Sequence, residues 1–281
     1  MSRNQDRLGG VQQHDTSAPT QAAADAGFAF VVPTEFVELP SGGKYYPPGH
    51  ALHGESAIEI KQMTAKEEDM LTSRTLLKKG VALDRVISSL IINKTIDPDS
   101  LLVGDRNAII VSTRVSAYGN DYTTKVTCPA CGTTQQYSFD LNSANVYTGE
   151  DLHTVGVKDN NDGTFNVHLD RTNVDVTFRL LTGRDEKTFI AGTELDKKQK
   201  IDRNVTRQLS GMIVAVNGDP SADAINYMVH NMPSADSRQL RLAYRLSSPN
   251  IDLTQHFECN ECSHDQDMEV PLNADFFWPD R

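Results

Sequence analysis

All four cysteines of the chain lie in two short pairs, Cys128-Pro129-Ala130-Cys131 and Cys259-Asn260-Glu261-Cys262, which stand 131 residues apart. The sequence around them returns at the same spacing without a gap. Arg114 answers Arg245, Ser116 answers Ser247, Asp121 answers Asp252 and Thr123 answers Thr254. Beyond the cysteines, Gln135, Leu141 and Asn142 match Gln266, Leu272 and Asn273. From Arg114 to Asn142, 9 of 29 positions are identical, or 7 of 27 without the cysteines. Unrelated segments would share roughly one in sixteen on ordinary residue usage. Val115, Val126 and Phe139 change only to Leu246, Phe257 and Val270.

A second echo lies upstream at a spacing of 118. Ile58 to Glu68 answers Val176 to Glu186, and each stretch reads as a strand, a capping threonine (Thr64, Thr182) and a first helical turn with one basic and two acidic residues. Acids suit the positive end of a helix dipole. The two echoes come in the same order, so the expected fold is α+β, built as two tandem-duplicated halves. The boundaries fall at 31–146 and 147–281, with a net insertion of 13 residues in the helical region of the second half. Residues 1–30 are polar, Gln-rich and Ala-rich without apolar periodicity, and read as a disordered arm.

Each C-x-x-C bends two sulfurs toward one point, and two such knuckles supply the four thiolates of a tetrahedral structural Zn²⁺ site. The expected ligands are Cys128, Cys131, Cys259 and Cys262, with half of a single zinc ribbon closing each half of the chain. Pro129 shapes the first turn and Gly132 admits a left-handed backbone. A redox pair is the competing reading, but that chemistry wants its C-x-x-C at a helix N-terminus, and both pairs here lie between strand-like runs. His264 is an alternative ligand, read instead as an exposed loop residue.

The net charge of −11 argues against nucleic acid as a partner, and no run of clustered Lys and Arg offsets it. Lys78-Lys79 and Lys197-Lys198 read as solvated helix ends. No run of 18 or more apolar residues predicts a membrane span. No H-E-x-x-H, G-x-S-x-G or phosphate-binding glycine loop occurs, so neither catalysis nor a small-molecule substrate is expected. Asp159-Asn160-Asn161-Asp162-Gly163 has calcium-like residue types without the closing glutamate, and reads as a hairpin turn.

Between these landmarks, Phe36–Leu39, Ala57–Ile60, His153–Lys158, Thr164–Leu169 and Val174–Phe178 are predicted strands. Thr64-x-x-Glu67 is a capping box, and Leu83, Val86, Ile87, Leu90 and Ile91 form a helical stripe. Asp97-Pro98 is read as N-cap and N1 of a helix running through Leu101, Leu102, Ala108, Ile109 and Val115. Ile201, Val205, Met212, Ile213 and Val216 are read as one further helical stripe, and Ser221 as the cap of a short helix. Tyr45, Tyr46 and Trp278 are candidate exposed anchors for a protein partner.

Several stretches together resemble the T4-type bacteriophage baseplate hub protein family. They are Leu39-Pro40-Ser41-Gly42-Gly43-Lys44-Tyr45-Tyr46-Pro47, Ile58 to Leu71, Leu76 to Gly80, Asp97 to Asn107 and Arg114 to Tyr122. Cys128-Pro129-Ala130-Cys131-Gly132 and Phe276-Phe277-Trp278-Pro279 share the resemblance, which is densest over 36–146. It implies a contractile-tail hub component or a hub-assembly factor that works through other baseplate and tail proteins. Its place would be the host cytoplasm during assembly, or the virion tail baseplate. The resemblance implies no catalytic residues. A zinc-ribbon nucleic-acid-binding module is the alternative.

Overall fold

In the computed structural model, residues 31–78, 80–149, 152–271 and 274–277 are described. The expectation of a disordered arm over 1–30 lies outside them, as does Trp278. Residues 34–281 form one compact unit.

The unit opens with β1 (Thr34–Glu38) antiparallel to β2 (Ala57–Lys61), registered through Val37 opposite Ile58. Thr64 then starts α1 (Ala65–Thr72) with the expected capping box. Burial would expel the Glu67 carboxylate, but Lys61, Ser89 and the Thr64 hydroxyl and N–H all donate to it, at 2.7, 2.6, 2.5 and 3.1 Å. These donors outweigh desolvation and hold its pKa down at about 2. Next come α2 (Arg74–Lys78) and α3 (Ala82–Leu90), which buries Val86, Ile87 and Leu90. Ile91, just past α3, bridges back to Ile60 on β2.

The predicted helix from Asp97 is two elements. Asp97 caps only a 3-10 turn, Pro98–Ser100, and α4 (Val103–Tyr118) starts afresh. Leu101 and Leu102 between them are extended, because their backbone is claimed elsewhere: Gly183 donates to the Leu101 carbonyl at 2.9 Å, and Val103 to that of Leu181 at 3.1 Å. After α4 come β3 (Asp121–Thr127) and β4 (Thr134–Asp140), paired around the first cysteine pair, and then β5 (Asn145–Tyr147).

The second half opens on an antiparallel sheet. Its members in order are β6 (Val157–Asp159), β7 (Thr164–Leu169), β8 (Val174–Arg179) and, from further along the chain, Ile213–Val216. β6 is shorter than the predicted 153–158 strand, since Leu152–Val155 forms a 3-10 turn. The Asp159–Gly163 turn does join β6 to β7, and Asp159 pairs with Lys44 at 2.5 Å. Thr182 starts α5 (Gly183–Gln199) with a second capping box, in which Asp185 receives Arg179.

Beyond α5, the predicted stripe breaks into two kinds of structure. α6 (Asn204–Met212) ends at Met212, and Ile213–Val216 is β9, paired with β8. Ile201 and Val205 are exposed. The β-branched Ile213, Val214 and Val216 favour the open sheet edge over another helical turn. Ser221 caps α7 (Ala222–Asn231) through the Ala224 N–H at 3.3 Å, and α8 (Ser234–Ser247) follows. β10 (Asn250–Asp252) pairs with β5, while β11 (Thr254–Glu258) and β12 (Asp265–Glu269) pair around the second cysteine pair.

One buried cluster of apolar side chains runs through both halves, from Val37 to Phe277. Ion pairs join the halves as well: Arg106 to Glu186 at 3.7 Å, and Lys187 to Asp84 and Asp99 at 3.2 and 2.5 Å. α4 and β10 approach so closely that a Cβ on Gly104 would lie 1.9 Å from the Pro249 carbonyl oxygen. Tyr46 is no exposed anchor. It is 3% exposed, its hydroxyl donates to Asp105 at 2.7 Å, and it accepts from the Leu102 N–H at 3.1 Å. Tyr45 is half-buried against Phe165, with ring centroids 5.4 Å apart.

Candidate metal centre

The two cysteine pairs come from hairpins of opposite halves, and the fold brings them together. Both turns are built alike. Cys128 N–H donates to the Thr133 carbonyl and Gly132 N–H to the Cys128 carbonyl, each at 2.9 Å. Cys259 N–H donates to the His264 carbonyl at 2.9 Å and Ser263 N–H to the Cys259 carbonyl at 3.0 Å. Such a turn needs a left-handed residue at its end. Gly132 takes φ 73° as its sequence foretold, and Ser263 adopts φ 56° with a side chain attached.

The four sulfurs lie within 4.8 Å of one another. Across the hairpins, Cys128 Sγ is 3.8 Å from Cys262 Sγ, and Cys131 Sγ is 3.7 Å from Cys259 Sγ. Those separations are far too long for a disulfide, whose sulfurs stand about 2.05 Å apart. They match the edge of a tetrahedron with Zn–S bonds of about 2.3 Å, which is about 3.8 Å. The donor set therefore fits a four-coordinate, thiophilic cation. All four expected ligands meet at one point, and His264 is not among them. Its ring faces Gln266 at 3.4 Å.

The electrostatics point the same way. Hydrogen bonds from the Thr133 side chain and backbone pull the Cys131 thiol down to about 6. The His264 N–H pulls Cys262 down too, but desolvation and the neighbouring sulfurs outweigh it and push that thiol up to about 12. Four sulfurs this close cannot all carry charge unless a cation sits among them. Cys128 and Cys259 are buried while Cys131 and Cys262 face solvent, so each hairpin offers one inner and one outer sulfur.

Side chains beneath the cluster lock the hairpins to each other. Gln135 donates to the Glu258 carbonyl at 3.1 Å and accepts from the Asn260 N–H at 2.9 Å, so it binds the second turn on both sides. Gln255 does the same to Asp140, at 2.8 and 3.1 Å. Tyr137 donates to the His256 carbonyl at 3.0 Å and packs on Phe257, with centroids 5.1 Å apart. Val126 and Phe139 of one hairpin and Phe257 and Val270 of the other are buried. Where one hairpin has Val then Phe, the other has Phe then Val, so the summed volume is kept. Sequence reading noted the recurrence of Gln135 but missed its bridging role, because two-sided amide contacts to a distant backbone have no local pattern.

Arg114 anchors the first hairpin from behind. It is 0% exposed and donates to three carbonyls: Phe276 and Gly119, both at 2.7 Å, and Asp121 at 3.1 Å. Phe276 also packs edge-on against the buried Tyr122, at 5.1 Å. Arg245, its sequence counterpart, is exposed on α8. Together with Arg238 and Arg241 it forms a basic helix face that sequence reading passed over, because the three residues are not contiguous.

Among known proteins, the family model described as "T4 bacteriophage base plate protein" matches residues 32–278. No curated protein and no solved structure matches the chain.

Proposed function

The chain belongs to the T4 bacteriophage base plate protein family, and on that premise we propose that it is a component of the contractile-tail baseplate hub, or a factor that assembles it. It acts through contacts with other tail proteins, without catalysis, and is held together by one structural Zn²⁺ on Cys128, Cys131, Cys259 and Cys262. The observation that carries the tail role is the family match across most of the chain. The one that carries the zinc is the near-tetrahedral spacing of four sulfurs from two halves. When bound, the ion supplies positive charge and fixed geometry. A complete sulfur shell leaves no coordination position for a reacting water.

Tandem duplication belongs to the same proposal, and the matching roles of matched residues support it. Lys61 and Arg179 serve the capping carboxylates Glu67 and Asp185 at a spacing of 118. Ile60 pairs with Ile91 as Phe178 pairs with Ile213, which moves the spacing to 122 on the second member. Asp97 and Asp219, also 122 apart and each followed by proline, accept from the N–H two residues on, at 3.0 and 2.8 Å. α4 and α8 start 131 apart. The net insertion of 13 thus splits into four residues around α5 and a net nine in the stretch that carries α7, which has no counterpart among the described helices of the first half.

Tagged full-length chain recovered from infected cells tests the whole reading. Tail proteins and one equivalent of zinc should come with it. Recovery without any tail protein would remove the hub role, and recovery without metal would remove the zinc.

A further inference from the structure

α4 and α8 occupy matched places in the chain, each leading into a cysteine hairpin, yet one is covered and the other is not. On α4, Ile110, Val111 and Arg114 are buried and Asn107 is half-buried. The C-terminal turn Ala274–Phe277 lies over this helix, tied by the Arg114 bond to the Phe276 carbonyl, and Asn107 donates to Asn250 at 3.1 Å. At the positions 131 residues on, α8 carries Arg238, Arg241, Leu242 and Arg245, all exposed. Spacings of three and four residues place these side chains on one face. They line a groove of about 1010 Å³ whose other walls include Tyr244, Ile251 and Leu253.

Nothing within the described residues neutralises the three guanidinium groups by an ion pair. The groove holds two carboxylates, Asp252 and Glu269. Asp252 is engaged by its own turn, accepting from the Thr254 N–H at 2.9 Å. Where the covered helix has Asn107 and Ile110, the open one has Arg238 and Arg241, so a segment docking here must answer charge as well as apolar surface. Arg241 donates only to the Ser237 carbonyl of its own helix, at 3.3 Å. Among the described residues three guanidinium groups thus stand without a carboxylate in a chain of net charge −11, which favours carboxylates brought from outside. A continuous phosphate backbone would have to pass Asp252 and Glu269, whereas a peptide places its charges one at a time.

We propose that this face of α8 is a docking groove for an acidic peptide segment of another tail protein, its carboxylates on Arg238, Arg241 and Arg245 and an apolar or aromatic side chain against Leu242. The groove takes on α8 the cover that the chain's own C-terminal turn supplies on α4. This deepens the reading of the chain as a baseplate protein and rests on it.

A photoreactive p-benzoylphenylalanine at Leu242 in the tagged full-length chain, produced in infected cells, reports what lies in the groove. The expected crosslink is to an Asp- or Glu-rich stretch of a different tail protein, mapped by mass spectrometry. Combined Arg238→Glu, Arg241→Glu and Arg245→Glu should cut recovery of that protein by about tenfold or more, while unfolding midpoint and metal content stay as in the parent. A matched reversal of Lys197, Lys198 and Lys200 on the end of α5 should leave recovery intact. Crosslinks to nucleic acid or to a second copy of the chain would overturn the proposal, as would full recovery with the arginine reversals. In that last case tail proteins are still recovered, so the baseplate reading stands while the groove falls.

Discussion

Asp105 and Asp236, 131 residues apart, are each about 1% exposed in the first turn of α4 and α8, and each grips the loop that leads into the matched strand of its half, β2 or β8. Asp105 accepts from the Ser41 N–H and hydroxyl at 2.9 and 2.6 Å, and from the Tyr46 hydroxyl at 2.7 Å. Asp236 accepts from the Arg171 and Thr172 N–H groups at 3.0 and 2.9 Å, and from the Thr172 hydroxyl at 2.8 Å. The difference lies in which donors can turn round. One Asp105 oxygen faces only hydroxyls, which can accept from an amide, whereas both Asp236 oxygens face fixed backbone donors. Asp236→Asn should therefore cost about 1–2 kcal/mol more than Asp105→Asn, since it leaves a buried N–H facing an amide N–H. Urea unfolding of the two variants measures this, and equal costs would rule out the distinction.

Glu67 sets an acid limb on stability. Its folded pKa of about 2 lies below the value of about 4.3 for a free glutamate. Its contribution is present above pH 4.3 or so and is lost as pH falls toward 2, amounting to about 2–3 kcal/mol. Asp105 runs the other way. Burial pushes its carboxyl above the ordinary range despite the bonds from Ser41 and Tyr46, so its contribution favours the fold in acid and fades as pH rises through that raised value. Thermal unfolding of the parent and of Glu67→Gln from pH 6 to pH 3 should show the parent's advantage holding down to about pH 5 and shrinking from there to about pH 3. A gap that does not change with pH would contradict this.

At the cysteine cluster, any single Cys→Ser change should remove most metal affinity and lower the unfolding midpoint, because the ion binds the assembled site and its binding free energy enters folding directly. Cys131→Ser and Cys262→Ser are the informative pair, since both sulfurs face solvent and their loss opens no cavity. Metal content by mass spectrometry, together with the thiolate absorption of a Co²⁺-substituted sample, reports the ligand count. Wild-type melting that a strong chelator leaves unchanged would mean that no ion holds the hairpins together.

The two turns also make opposite predictions. Ser263→Gly should stabilise, by up to about 1 kcal/mol, because it relieves a left-handed backbone at φ 56°, while Gly132→Ala at φ 73° should destabilise by about 1 kcal/mol. Both shifts are readable from denaturant midpoints of the metal-loaded protein.

Gly104→Ala should be the most damaging conservative change. Its Cβ would meet the Pro249 carbonyl oxygen at 1.9 Å and the Asn250 Cα at 2.9 Å, and backbone cannot rotate away as a side chain can. A loss of about 3 kcal/mol or more is expected, with the α4–β10 contact giving way first. Hydrogen exchange at Asn250–Asp252 would locate the damage.

What the sequence made legible was local. Capping boxes at Thr64 and Thr182, the knuckle turns and the strand-like runs around them carry their chemistry within a few residues, and all appear in the fold. The meeting of four cysteines followed from their count and spacing alone. What stayed hidden was decided by distant partners. Leu101 and Leu102 look helical until Thr182 and Gly183 claim their backbone, and Ile213–Val216 looks helical until β8 offers an edge. Tyr46 reads as an exposed tyrosine until Asp105, 59 residues on, draws its hydroxyl inside. The three-residue strands β5 and β10 are too short to carry any alternation of their own.

Cys128 and Cys131 leave the ribosome well before Cys259 and Cys262 exist. At about 5–20 residues per second, the first pair waits on the order of ten seconds for its complement. Throughout that interval the nascent chain can offer an ion only two sulfurs. Closure of the cluster is thus a late event, and a polypeptide cut short anywhere before Cys262 can never achieve it.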